Sequence, residues 1–222
     1  MALTALSKVQ LRTRVYDVFG EASGGLDFTG TFVNTALDEA QQEYAMRSRC
    51  LVGSARRTRP STAGGKESIL TLPTGAFEPW KVVHLRHAGA GTAWRQIRKT
   101  TERELALREG ETWVNDVESG VGTSPEYHAW YVKSATQIGF YPPRMTATAG
   151  TALLWYFKVP DQMTATASCT IPPQFCPGVV YIAARKCCER DVNSDAAQKR
   201  AAQLEVEAER YVQMALVEAP IT

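Results

Sequence analysis

The hydrophobic period of the chain changes twice, and no other feature limits the possible folds so tightly. Over residues 5–19, apolar side chains fall at Leu6, Val9, Val15, Val18 and Phe19, with Lys8, Arg12, Arg14 and Asp17 between them. No Gly or Pro intervenes before Gly20, so the pattern predicts an amphipathic helix with a glycine stop. A Gly-rich connector (20–30) follows, then Val33, Ala36, Leu37, Ala40 and Tyr44 recur at three- and four-residue steps over 31–50. They predict a single buried stripe, with Asp38, Glu39, Gln41, Gln42 and Glu43 on the wet face. The two helices and their short connector predict an antiparallel pair.

The period then falls to two. Residues 53–67 (GSARRTRPSTAGGK and its neighbour) carry no periodicity and predict an exposed loop or arm. Between 69 and 159, Val83, Leu85 and His87 alternate with His84 and Arg86. Ala88-Gly-Ala-Gly91 predicts a hairpin turn back into Trp94, Gln96 and Arg98. Three further aromatic-rich strands are expected at 127–132, 137–141 and 152–159, bounded by Gly/Ser/Pro stretches. A short helix is expected between them, because Thr101 and Glu104 have capping-box spacing ahead of Leu105 and Leu107.

Helix returns after Ile171-Pro-Pro-Gln-Phe-Cys-Pro177, where proline suits a helix start. Val180, Ala183, Ala184, Cys187 and Cys188 make an apolar face over 178–190. Asn193-Ser-Asp195 caps a last long helix to about 217, with Ala197, Ala201, Leu204, Ala208, Tyr211 and Ala215 in four-three spacing. The expected class is therefore α+β. The expected architecture is an antiparallel helical bundle of two N-terminal and two C-terminal helices (1–52 and 171–222). It is interrupted by an arginine-rich arm (53–67) and an inserted β-rich domain (68–170).

Composition narrows the function. A chain of 222 residues buries about 70–75 % of its unfolded surface and needs no disulfide or metal staple. Lys plus Arg total 25 against 23 Asp plus Glu, which argues against a surface coated for nucleic acid. The five cysteines (50, 169, 176, 187, 188) are odd in number, two are adjacent, and no pair has zinc-knuckle spacing. They are expected to be small buried hydrophobes in a reducing cytoplasm. No export leader and no membrane span are expected.

Catalytic motifs fail one by one. Gly64-Gly-Lys-Glu67 lacks the hydroxyl residue and the first glycine of a phosphate loop. Gly89-Ala-Gly-Thr-Ala-Trp94 puts tryptophan where a dinucleotide fingerprint needs glycine. Of the three histidines, His84 and His87 would face opposite sides of a strand and could not share a metal, which leaves a site that recruits His128 across the sheet as the remaining arrangement. Carboxylates cluster at Glu102, Glu104, Glu109, Glu111, Asp116 and Glu118; paired carboxylates can hydrolyse glycosides, but a solvated face is the simpler account. Arg56, Arg57 and Arg59, with Arg47, Arg49 and Lys66, concentrate cations in one stretch. They suit a nucleic-acid backbone, an acidic protein surface, or a solvated loop, and no aromatic interleaves them for base stacking.

An ordered set of motifs resembles a known family. Phe28-Thr-Gly-Thr-Phe-Val-Asn34 leading into Leu37-Asp-Glu-Ala-Gln-Gln-Glu43 resembles the opening of tailed-bacteriophage head-to-tail adaptors. Ser68-Ile-Leu-Thr-Leu-Pro73, Gly122-Thr-Ser-Pro-Glu-Tyr127 and Ile138-Gly-Phe-Tyr-Pro142 resemble strands of its middle. Leu154-Trp-Tyr-Phe-Lys-Val-Pro160 and Ile171-Pro-Pro-Gln-Phe175 resemble its return strand and the lead-in to its third helix. The arginine-rich arm and residues 88–121 have no counterpart in the pattern.

The resemblance implies a non-enzymatic virion protein, without cofactor or metal, made in the host cytoplasm. It implies a ring, commonly twelve-fold, on the portal protein, extending the channel for packaged double-stranded DNA and docking tail, nozzle or neck proteins. On that footing Ala201, Leu204, Ala208, Tyr211 and Ala215 are candidates for packing against a neighbouring subunit. Val217, Glu218, Ala219, Pro220, Ile221 and Thr222 are candidates for portal docking, and Arg56, Arg57 and Arg59 for the DNA channel or an acidic partner. The rival expectations are a later neck or tail component, and a virion-associated peptidoglycan glycosidase using carboxylates in 102–118.

Overall fold

The computed structural model describes residues 5–20, 28–58, 68–88, 91–115, 117–118, 128–141, 144–145, 151–164, 168–190 and 194–218. The chain divides into two compact units: a helical unit from 1–51 and 158–222, and a sheet unit over 52–157.

In the helical unit, α1 (Lys8–Phe19) starts at a capping box in which Ser7 and Gln10 satisfy each other's backbone N–H groups. It stops at Gly20, which takes the left-handed conformation at φ 71°. The Thr29 side chain caps α2 (Gly30–Ser48) by accepting from the Phe32 N–H. A 3-10 turn at Pro173–Phe175 leads directly into α4 (Cys176–Glu189), and α5 (Asp195–Glu218) completes the unit. α4 touches each of α1, α2 and α5, so its Val179, Ile182, Ala183 and Cys187 lie at the centre of the core with Leu11, Val15, Leu37 and Ala208. α2 approaches α4 closely: a Cβ on Gly178 would sit 2.4 Å from the Tyr44 ring, which only glycine permits.

The sheet unit holds β1 (Val52–Thr58), β2 (Ile69–Thr71), β3 (Ala76–Ala88), β4 (Gly91–Lys99), α3 (Glu102–Glu109), β5 (Val117–Glu118), β6 (Ala129–Ser134), β7 (Gln137–Tyr141), β8 (Arg144–Met145) and β9 (Thr151–Lys158). Seven of these form one sheet in the order β1-β9-β3-β4-β6-β7-β2, while β5 and β8 pair in parallel. The large sheet is mixed, since β4 and β6 run parallel and the rest of the recorded pairs antiparallel. A parallel join needs a crossover, and α3 lies in it. Its Leu105, with Trp113, covers Tyr131, whose ring meets Trp113 edge-on at 5.4 Å. The other face buries Val82, Ile97, Trp130, Ile138, Phe140, Leu154 and Tyr156.

This architecture corrects the expected one. Instead of a helical bundle carrying a β-rich insert, the described residues form five helices and a seven-stranded mixed sheet, a mixed α+β chain in which the sheet is a principal component. Part of the difference lies in the expected arm: Val52–Thr58 is a strand in full register with β9, from Val52↔Phe157 to Thr58↔Thr151. Residues 59–67 lie outside the described residues.

Candidate functional site

Much of the polar face of α2 is occupied rather than wet, although Glu39 is exposed as expected. Asp38 Oδ2 accepts from Lys8 Nζ at 2.7 Å, and Oδ1 accepts from the Met163 N–H at 3.0 Å. Lys8, itself buried, also donates to the Met163 carbonyl at 3.0 Å. One turn on, Gln41 donates to the Asp161 carbonyl at 3.1 Å and accepts from the Thr170 N–H at 3.1 Å. The chain returning from β9 therefore has no regular structure of its own, and side chains of α1 and α2 satisfy part of its backbone. Sequence reasoning placed Asp38 and Gln41 in water, yet Gln41 is fully buried.

A second polar assembly ties α2, α4 and α5 together. Arg47 on α2 reaches Glu205 (2.6 Å) and Glu209 (2.5 Å) on α5, and Arg185 on α4 reaches Glu43 (2.8 Å) and Glu205 (2.5 Å). Lys186 adds a 3.1 Å contact to Glu43. Burial opposes ionisation of Glu43, but the contacts with Lys186 and Arg185 outweigh it and hold the carboxyl below its ordinary range. Glu205 is lowered in the same way, burial being outweighed by Arg47 and Arg185. In Glu209 the hydrogen bond from Gln213 and that from Arg47 lower the value.

In the sheet unit, Arg56 and Arg57 are exposed on β1, an end strand of the sheet. They are consecutive in a strand and so lie on opposite faces. Arg56 pairs in register with Leu153, and its guanidinium stands 5.5 Å over the Trp94 ring; Arg57 pairs with Ala152. Lys81 stands 5.1 Å over Trp155, and Lys99 5.3 Å over Trp130. Among the described residues no carboxylate is ion-paired to Arg56 or Arg57. Arg59 lies outside the described residues.

Compared with known protein families, the chain matches the model described as SU10 adaptor protein over residues 3–220. The chain belongs to the SU10 adaptor protein family. This is a family of phage head-to-tail adaptors, so the protein is a structural virion component. The resemblance drawn from the ordered motifs thus points to the family that the match supports. No curated protein matches the sequence.

The other residues expected to serve an adaptor are placed as follows. Ala201, Leu204, Ala208 and Ala215 of α5 are buried in the chain's own core, and Tyr211 is packed against it. The face expected to meet a neighbouring subunit is instead taken up within the chain. Four-three spacing reports a packed helix without saying which chain packs on it. What α5 leaves outward includes Val206 and Val217, 69 % and 86 % exposed. Val217 and Glu218 belong to the helix itself, whereas Ala219, Pro220, Ile221 and Thr222 lie outside the described residues.

Three of the acidic residues in 102–118 have basic partners. Glu104 takes Arg98 at 2.5 Å and Thr100 at 2.9 Å, Glu109 takes Arg108 at 2.6 Å, and Glu102 takes Lys133 at 3.4 Å. Glu111 is exposed; Asp116 and the side chain of Glu118 lie outside the described residues. Among the described residues no group of His, Cys, Asp and Glu is arranged to hold a metal, and no helix is long and apolar enough to cross a membrane.

Proposed function

We propose that this adaptor assembles as a ring, twelve-fold in the usual portal symmetry, on the portal vertex of a DNA-filled head. The ring extends the channel and presents a docking surface for tail, nozzle or neck proteins. The observation that carries the reading is the family match over nearly the whole chain, 3–220. The physical properties agree with it. Glu102, Glu104 and Glu109 of the acidic stretch engage neighbouring cations within the chain, as structural carboxylates do, and the last turn of α5 carries an apolar residue, Val217, that its own chain leaves 86 % exposed.

In this reading the segment Val217–Thr222 enters the portal, and Arg56, Arg57 and Arg59 contact passing DNA or an acidic partner. A net charge of +2 suits a channel wall, because extensive neutralisation of DNA phosphates would hold the duplex in place. A ring contact of standard size buries roughly 1,600 Å² and needs no covalent chemistry.

The test is a mixing experiment. Purified protein, alone and with purified portal, is sized by light scattering and imaged by electron microscopy. Rings that form on the portal, and fail to form when residues 217–222 are deleted, support the reading. A protein that ignores portal but joins a preassembled neck is a later component of the particle. Unchanged portal binding after the deletion removes the C-terminal segment from the docking role.

A further inference from the structure

We infer that the free side of β1 is a docking edge for an extended, acidic segment of another protein, which adds to the sheet as an eighth strand. The inference rests on the adaptor reading only in taking the partner to be another protein of the particle.

β1 is seven residues long and pairs with β9 along its whole length. Among the described residues no strand pairs with its other side. An exposed strand edge offers a row of backbone donors and acceptors, and added strands are a common way to bind an extended peptide. Edges are often blunted by charge, so one arginine would be unremarkable. β1 carries two adjacent ones, facing opposite sides of the sheet. Neither is ion-paired to a described carboxylate, although Arg47, Arg98, Arg108 and Arg185 all are.

The geometry selects the partner. On an incoming strand, two consecutive carboxylates would meet Arg56 on one face and Arg57 on the other, as opposite-charge cross-strand pairs. Arginine pairs with carboxylate through two parallel hydrogen bonds, and Arg56 is already steadied over Trp94. A single-stranded nucleic acid fits less well, because the rings of Trp94, Trp155 and Trp130 each lie beneath one of the chain's own cations and are not free to stack on bases. A second copy using the opposite edge also fits less well. That edge, β2, is the three-residue strand Ile69-Leu-Thr71 and brings no carboxylate to the arginines.

The probe is a fluorescent peptide as long as β1, made of valine and threonine around two adjacent glutamates, titrated into the full-length protein. Binding is read by anisotropy, with Trp94 emission and amide exchange of β1 read in parallel. The expected result is saturable binding that protects amides of β1. The R56E/R57E variant should weaken it by at least about tenfold, the loss of roughly one charge-assisted pair. The R56Q/R57Q variant, compared by circular dichroism with the parent, serves if the reversal disturbs folding. A peptide with lysine for glutamate should not bind, and one with alternate amides methylated should lose binding although its charge is intact. Equal binding by the methylated peptide overturns strand addition. Binding of a DNA oligonucleotide with the same arginine dependence, in place of the peptide, overturns the choice of partner. Ring formation by the parent protein on portal, measured separately, decides the adaptor reading whatever the peptide does.

Discussion

The phenol of Tyr44 on α2 donates a 2.8 Å hydrogen bond to the backbone carbonyl of Tyr211 on α5. The same ring lies over Gly178 of α4. One fully buried side chain thus fixes the spacing of three helices, and burial pushes its phenol well above the ordinary tyrosine range.

Gly178→Ala should cost about 1–3 kcal/mol by overpacking, because its Cβ would lie 2.4 Å from the Tyr44 ring and 2.9 Å from Tyr211 Cβ. Tyr44→Phe keeps the packing and loses the hydrogen bond, for about 1 kcal/mol. Urea unfolding of both variants checks the order. A Gly178→Ala protein as stable as the parent would show that the helices separate freely there.

Asp38→Ala should be among the most damaging polar substitutions. It leaves the Lys8 ammonium buried with only the Met163 carbonyl as a recorded partner, and an uncompensated buried charge costs about 3–5 kcal/mol. The double variant K8M/D38A should recover part of that loss. A double-mutant cycle in thermal or urea unfolding reads the coupling, and strictly additive effects would refute the pair.

Acid should loosen the junction of α2, α4 and α5. Glu43, Glu205 and Glu209 have folded values below the ordinary 4.5, so the unfolded chain takes up protons first as pH falls. Their stabilisation is fully present above that ordinary value and is lost as pH drops through the lower folded values. Thermal unfolding followed from neutral pH downward should show this limb, and E43Q/E205Q should flatten it. An unchanged limb in the variant would assign the acid sensitivity elsewhere.

Thiol labelling should be slow and ordered. Cys169, Cys176, Cys187 and Cys188 are buried, Cys50 is partly accessible, and burial pushes the Cys50 thiol up. In the native protein an aromatic disulfide reagent should reach Cys50 first, and Cys50→Ser should abolish that early phase. All five should react once the chain is unfolded. Rapid reaction of several thiols in the native state would show a looser helical core.

The helices were legible because their period and punctuation agree. Gly20 does take the left-handed stop, and Thr101 does cap α3 by accepting from the Glu104 N–H at 3.0 Å. β1 was illegible because its inward residues are too small to write a pattern. Gly53 and Ala55 face Tyr156 and Leu154, so the apolar mass of that pair sits on the partner strand. A Cβ on Gly53 would fall 2.6 Å from the Tyr156 ring, so the large tyrosine requires the glycine opposite. The extent of the mixed sheet was hidden for another reason: the parallel pairing of β4 with β6 is a long-range choice that local alternation does not encode. Asp38 and Gln41 were misassigned to water because composition does not separate a solvated polar side chain from one that satisfies buried backbone. The α5 stripe was read correctly as packed, but its packing partner was the chain itself.

The chain leaves the helical unit after Leu51 and rejoins it at Lys158, and those two residues are joined by a 2.9 Å bond from the Lys158 N–H to the Leu51 carbonyl. Entry and exit of the sheet unit are therefore side by side, as at the neck of a cartridge. Evolution can exchange the cartridge, or lengthen its strands, without rethreading the helical unit. Variation among relatives is then free to concentrate in the sheet unit while the helical unit stays constant.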